Sequence, residues 1–394
     1  MVEAMESRKG YTQTEVVITE NWEVRVFKSI YSESSRNGIY KSSKFKGHGI
    51  RIVNMGEMFG LDFISVQEMS RVALTSKELL LSGLQEGDLL FGRRSVVPAG
   101  AGKCSIIVAL KEPLTFESSI IRVRLNWSEV NPLFYYYFFA SQTGRSVMSA
   151  IVSGTNIKGI RASDLKELKV PVPTKTEQTA IVTALNDADA LITQLEKLIA
   201  KKRNIKQGAM QELLKPNNGW QVKKLGEIAH IKTGAKNNED KLENGEYPFF
   251  VRSAKVERIN CYSYDCEAIL IPGDGNIGEI YHYINGKFEV HQRVYKISDF
   301  SEGILGKYLY LWFKMFFKEH AYRYTAKNTV DSLRLPIFKD FEIKYPSITE
   351  QNHIAQILSD MDAEIEALEK KLNKYKMLKQ GMMQNLLTGK IRLI

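Results

Sequence analysis

The 394-residue sequence predicts an α+β protein: two globular α/β modules, each followed by a long amphipathic helix, with the two helices packed on each other as a coiled coil. Three observations lead there. Residues 177–214 and 350–387 align without a gap at 19 of 38 positions, at a constant offset of 173, which marks an internal duplication. Each copy carries an apolar seam at coiled-coil spacing. The stretches ahead of the two copies share landmarks at their ends but diverge strongly between them. The plan is variable module, helix, variable module, helix.

In chain order, Asn21-Trp22-Glu23-Val24 opens the first half and Gly219-Trp220-Gln221-Val222 opens the second. Ahead of the helices, Leu165, Leu168 and Val170 match Phe338, Phe341 and Ile343 as an apolar pattern. Pro173 and Pro346 then precede Thr174-x-x-Glu177 and Ser347-x-x-Glu350, two capping-box signatures. Ile181, Leu185, Ala188, Ile192, Leu195 and Ile199 form the seam of the first helix. Ile354, Leu358, Met361, Ile365, Leu368, Leu372 and Tyr375 form that of the second. Lys215-Pro216-Asn217-Asn218-Gly219 stops the first helix. The expected divisions are a first module over 1–173, a helix over 174–215, a second module over 216–346 and a helix over 347–394.

Composition narrows the function class. A hydrophobic fraction of 44% and a charged fraction of 25% are ordinary for a globular protein. There is neither a membrane-spanning apolar run nor the apolar centre of a secretion signal near the N-terminus. Cys104, Cys261 and Cys266 are too few for a disulfide framework, so a cytoplasmic chain with free thiols is expected. Residues 177–214 hold five acidic and five basic residues, and residues 350–390 six of each, so the whole +10 net charge lies outside the helices. Basic modules on a neutral scaffold favour a polyanionic partner bound at two places.

Catalytic motifs fail their context tests. Gly273-Asp274-Gly275-Asn276-Ile277-Gly278 has the spacing of a dinucleotide-binding loop, which must open a helix. It is followed instead by the β-rich Glu279–Ile284 and by Asn285-Gly286, a hairpin-turn signal leading into Lys287–His291. In Ala99-Gly100-Ala101-Gly102-Lys103-Cys104 the first glycine of a phosphate loop would be Val97, and Cys104 stands where a magnesium-binding hydroxyl belongs. Asn131-Pro132-Leu133-Phe134 departs from an amino-methyltransferase loop at Leu133, and the stretch through Phe139 reads as a core helix. Asp331 with Glu342 and Lys344 formally resembles a metal-dependent nuclease set, yet that segment aligns with the strand ahead of the first helix. Neither the six histidines nor Cys261 and Cys266 form a metal pattern.

The repeat itself resembles a known family. VPVPTKTEQTAI and KYPSITEQNHIA, each opening a long helix, with helix ends KQGAMQELL and KQGMMQNLLTGK, are similar to the specificity subunit of type I restriction-modification enzymes. The openings NWEV and GWQVKKLGEIAHIKTG fit, and YPFFVRSAKVERI through HYINGKFEVHQRVYKI resembles a recurrent target recognition domain. The first module fits more loosely through NGIYKSSKFKGHGIRIVNMGEMF and LQEGDLLFGRRS, with Asp88–Phe91 placed opposite Ala268–Ile271. The resemblance implies antiparallel helices between two target recognition domains, each reading half of a bipartite site in double-stranded DNA. A 38-residue helix is about 57 Å long, so the unread spacer is at most about 17 base pairs. It further implies two methyltransferase subunits docked on the helices, with motor-nuclease restriction subunits beyond them. S-adenosylmethionine, ATP and Mg²⁺ would be used on those subunits; this chain itself would hold no cofactor or metal and catalyse nothing.

Physical chemistry selects the candidate contacts: Lys and Arg neutralise phosphates, while Arg, Lys, Asn and Gln read base edges. In the first module these are Tyr40, Lys41, Ser43, Lys44, Arg51, Asn54, Arg93, Arg94, Lys158 and Arg161. In the second they are Lys232, Thr233, Lys236, Arg252, Ser253, Lys255, Asn276, His291, Arg293 and Lys327. Two competing readings remain at this point. One is a nuclease built on Asp331, Glu342 and Lys344; the other is a coiled-coil adaptor without a nucleic-acid role.

Overall fold

The computed structural model describes residues 18–19, 21–65, 68–97, 100–275, 277–324 and 332–393. The chain divides into two compact units, Met1–Leu195 with Lys371–Ile394, and Glu196–Lys370. The long helices run over Lys175–Leu213 and Ile348–Leu386, 39 residues each, and both pass from one unit into the other. Thr174 and Ser347 cap them by accepting from the backbone N–H groups of Glu177 and Glu350, at 3.3 Å each. The capping box of the first helix is only half formed. The Glu177 carboxylate is buried and accepts instead from Trp22 Nε1 at 3.1 Å and from the Arg392 guanidinium.

The first unit is built on a five-stranded sheet in the order Tyr31–Asn37, Ile120–Leu125, Leu89–Gly92, Cys104–Ile107, Phe63–Ile64. The helix Pro132–Ala140 covers it with Phe134, Tyr135, Tyr137, Phe138 and Phe139, each at most 1% exposed. Asn131 caps that helix by accepting from Leu133 N at 3.1 Å, a structural duty. Ile181, Val182 and Leu185 of the first long helix and Leu386 and Leu387 from the end of the second join the same core. Asp189 pairs with Lys379 between the two helices in this unit.

The second unit repeats the plan. Its six-stranded sheet runs His230–Thr233, Val294–Ser298, Tyr264–Pro272, His282–Val290, Tyr247–Phe250, Glu257–Ile259. Tyr308, Leu309, Trp312, Phe313 and Phe317 pack on it, together with Leu214 of the first long helix region and Ile354, Ala355 and Leu358 of the second. Lys202 pairs with Glu364 at 2.7 Å, and Lys206 with Asp362, so one residue number falls as the other rises and the helices are antiparallel here. Along the seams, Ile181, Leu185, Leu195, Ile199, Ile354, Leu358 and Ile365 are buried. Ile192, Met361, Leu368 and Leu372 are half-buried.

One turn is corrected. Asn285-Gly286 does not make a hairpin; both lie inside the strand His282–Val290, opposite Glu267 and Cys266. The hairpin turn lies earlier, at the glycine-rich loop after Pro272. No helix follows that loop: Gly278, in the left-handed region at φ 68°, leads into the strand that starts at His282. A Cβ there would also lie 3.0 Å from the Lys318 backbone.

Candidate nucleic-acid interface

Each unit fastens its module to the long helix in the same way. The strand Glu23–Val26 pairs antiparallel with Lys169–Val172, and Gln221–Lys224 with Glu342–Tyr345. Gln178, fully buried, accepts from Asn131 N at 2.7 Å and donates to Pro173 O at 2.8 Å. Gln351, also fully buried, accepts from Leu305 N at 2.9 Å and donates to Pro346 O at 2.9 Å and Gly303 O at 2.8 Å. Tyr135 and Tyr308 donate to Pro171 O and Lys344 O, at 3.0 and 2.7 Å. These glutamines belong to the duplicated Glu-Gln pair, so their signal was present in the sequence. Glu342 and Lys344 lie on the paired strand, with Glu342 opposite Lys224, and Asp331 lies outside the described residues.

The fixed frame leaves one end of each sheet to loops. In the second unit four segments meet there. Gly273 N donates to Arg293 O at 2.8 Å, His291 N to Phe250 O at 3.0 Å, and Gln292 N to Lys236 O at 2.8 Å. Arg252 Nη1 and Arg293 Nη1 both reach Asp274 Oδ2, at 3.3 and 2.8 Å. The arginine side chains are 50% and 62% exposed, against 16% for Asp274. Ser253 and Lys255 are exposed beside them, and Lys255 pairs with Glu257 at 3.2 Å. Lys232 and Thr233 lie on the edge strand opposite Lys296 and Tyr295. His291 is a correction: it is 4% exposed, and its Nδ1 accepts from Arg293 N at 3.0 Å, so it supports the turn from below instead of meeting a ligand. Burial, followed by the charges of Arg252 and Arg293, lowers its pKa. Asn276 and Lys327 lie outside the described residues.

In the first unit Arg93, Arg94 and Lys158 lie at the matching end, whereas Arg51 lies on the strand Lys46–Val53 of a separate three-stranded sheet. Arg93 N donates to Ser119 O at 2.8 Å, the counterpart of the Gly273–Arg293 bond, and Arg94-Ser95 pairs with Lys158-Gly159. Here the arginines sit within the loop itself. Arg93 Nη1 donates to Ser118 O at 3.4 Å, Arg94 is exposed, and Lys158 Nζ donates to Gly154 O at 2.7 Å. Val96, Val97 and Ile157 stand out at 77%, 58% and 56% exposure, apolar residues that adjoin the pairing of Arg94-Ser95 with Lys158-Gly159 in sequence and carry no charge signal. Tyr40 is 84% exposed, Ser43, Lys44 and Arg161 are exposed, and Lys44 lies over the Phe45 ring. Two candidates are already engaged: Lys41 pairs with Glu78 at 2.7 Å and Arg51 with Glu112 at 2.5 Å. Lys41 holds the Glu78 carboxyl down at about 2. Asn54 Nδ2 donates to Ser70 Oγ at 2.8 Å while its backbone N–H donates to Glu57 at 2.9 Å.

Lys103 of the phosphate-loop-like stretch donates to Phe59 O at 2.9 Å and precedes a strand, not a helix. Among the described residues, no group of three or more His, Cys, Asp or Glu could hold a metal ion. No helix among them is long and apolar enough to cross a membrane.

Two unlike loop clusters on one duplicated frame make a bipartite binding scaffold. Residues 19–207 and 217–376 match the family described as the type I restriction modification DNA specificity domain, and the chain belongs to that family. It is 24% identical to the type I restriction enzyme MjaVIII specificity subunit of Methanocaldococcus jannaschii, over 82% of each chain. It is 27% identical to the EcoKI specificity subunit of Escherichia coli, over 49% of this chain and 44% of that one. In fold it is similar to the crystal structure of the type I restriction-modification S subunit from M. genitalium. The TM-score is 0.62 at 18% identity, covering 97% of this chain and 98% of that one.

Proposed function

We propose that this chain is the DNA-reading specificity subunit of a type I restriction-modification complex, acting in the cytoplasm without catalysis of its own. Each module reads one half of a bipartite site through the loop end of its sheet, and the antiparallel helices set the number of unread base pairs. The observation that carries this reading is the contrast between duplicated fastenings and unlike loops. Gln178 and Gln351 make matching bonds, whereas Arg93-Arg94 in one unit gives way to Arg252, Asp274 and Arg293 in the other. One frame holding two different cationic surfaces suits two different half-sites. Two methyltransferase subunits dock on the helices, whose outward faces are open: Thr176, Thr179 and Thr183 line a shallow groove, and Met377 and Leu378 are 67% and 53% exposed. Those subunits bring S-adenosylmethionine, and restriction subunits bring ATP hydrolysis and Mg²⁺-dependent cleavage. The test is methylation sequencing of DNA modified by the reconstituted complex. A bipartite motif is expected, and replacing residues 216–346 with another family member's second module should change one half alone. A single continuous motif, or a change in both halves, would refute the reading.

A further inference from the structure

The glycine-rich loop at 273–278 places a carboxylate between two exposed arginines of the second module, Arg252 and Arg293. Asp274 is the wrong charge for a surface that only neutralises phosphates, because an anion there repels the DNA backbone. Its geometry gives it another use. One oxygen, Oδ2, takes a guanidinium N–H from Arg252 and another from Arg293, two residues that arrive on separate segments. The backbone bond from Gly273 N to Arg293 O, and the pairing of Asp274 with Ser332, hold the carboxylate in place. Underneath, His291 accepts the Arg293 N–H and packs against Phe249, fixing the backbone that carries the second arginine. Each guanidinium spends one corner on Asp274 and leaves half or more of its side chain to solvent.

A phosphate contact tolerates a mobile cation; a base edge demands a fixed one. Guanine is read by a guanidinium presenting two parallel N–H groups to O6 and N7, and that fork must be oriented before contact. We propose that Asp274 is a positioning residue that pre-orients Arg252 and Arg293 to read guanine edges in the half-site of the second module. This rests on the DNA-reading function proposed above and assigns its second site. Asp274 itself touches no base; it acts through the two arginines.

The substitution Asp274→Asn keeps the shape, weakens both charge-assisted bonds and removes one negative charge from the surface. Orientation and electrostatics then pull in opposite directions, which separates the roles. The experiment uses the assembled methyltransferase complex and three duplexes: the site found by methylation sequencing, and versions scrambled in the first or the second half. Binding is measured by fluorescence anisotropy at two salt concentrations, with the melting temperature of each variant as the folding control. For Asp274→Asn, affinity for the intact site is expected to fall about tenfold or more. Affinity for the duplex scrambled in the second half should hold or rise by about two- to fivefold, with steeper salt dependence. Arg252→Gln and Arg293→Gln should lose discrimination at the second half only, and Asp274→Glu should restore part of it.

If Asp274→Asn shifts all three duplexes equally, Asp274 only tunes the field and the proposal is overturned. A lowered melting temperature with discrimination intact overturns it as well, by assigning a purely structural role. A wild-type complex that does not distinguish the three duplexes overturns the DNA-reading function and this proposal together.

Discussion

Gln351 is the most heavily used polar side chain at the junction between the second module and its helix. It is fully buried and makes three bonds of 2.8–2.9 Å, to Leu305 N, Pro346 O and Gly303 O. Gln351→Ala orphans all three partners. Leu305 is half-buried and Pro346 buried, so their backbone groups bear most of the cost; Gly303 is exposed, so its carbonyl can turn to water. At about 1–3 kcal/mol for each group left buried, the loss should be about 2–4 kcal/mol. Gln351→Glu replaces the donating amide nitrogen by an acceptor facing both Pro346 O and Gly303 O and buries a charge, so it should cost more at neutral pH, about 3–5 kcal/mol. The sign of its pH dependence follows. Burial raises the folded-state pKa of the new carboxyl above its unfolded value, so the folded form takes up the proton first. The glutamate variant should therefore gain on wild type as pH falls through that raised value. Urea unfolding is followed by tryptophan fluorescence; Trp22 and Trp127 lie in the first unit, and Trp220 and Trp312 in the second. A Gln351→Ala variant within about 0.5 kcal/mol of wild type, or a glutamate variant no worse than alanine at pH 7 with no recovery in acid, would refute the junction argument.

Two further outcomes are expected. Burial lowers the pKa of both His282 and His291, the latter also through Arg252 and Arg293, with Asp274 and Asp240 opposing. Between the lowered folded value and the ordinary 6.5 the unfolded chain binds more protons, so stability is full above about 6.5 and declines as pH falls below it. Thermal melts from pH 7.5 to 5.5 should show that decline, and His291→Gln should make it shallower; an unchanged slope would count against it. Cys261 is exposed, Cys266 half-buried with a raised pKa, and Cys104 buried with its thiol pushed up by desolvation. A colorimetric thiol reagent at pH 8 should therefore label Cys261 first and Cys104 only after denaturation; early labelling of Cys104 would contradict the packing.

The architecture was legible because it is periodic. A seam repeating every three and four residues, duplicated at a fixed offset, specifies helices before any tertiary contact is known. The aromatic run 132–139 announced a core helix because its residues are apolar around the whole circumference. Asn285-Gly286 misled because its turn propensity is local, whereas seven paired positions on Tyr264–Pro272 hold it in a strand. The interface was legible only as charge. Sequence cannot show that Lys41 and Arg51 are engaged by Glu78 and Glu112, since those partners lie 37 and 61 residues away. Nor can it show that His291 turns inward, or that Val96, Val97 and Ile157 stand exposed. Asp274 stands within the glycine-rich motif, but its role exists only once Arg252 and Arg293 arrive beside it.

The location of the duplicated bonds explains how the modules can differ so much. Strand pairing, the buried glutamines and the tyrosine hydroxyls all act where module meets helix, and each satisfies backbone groups that would otherwise be buried unpaired. Substitution there is penalised whatever DNA is read. At the loop ends of the sheets, Arg94, Arg252 and Arg293 are exposed and carry little of the fold. Exchanging an exposed loop side chain costs within about 0.5 kcal/mol, whereas removing a junction glutamine costs several times that. If the loops read DNA as proposed, new half-sites arise by changing them, while the shared frame keeps the residues 177–214 and 350–387 recognisably alike.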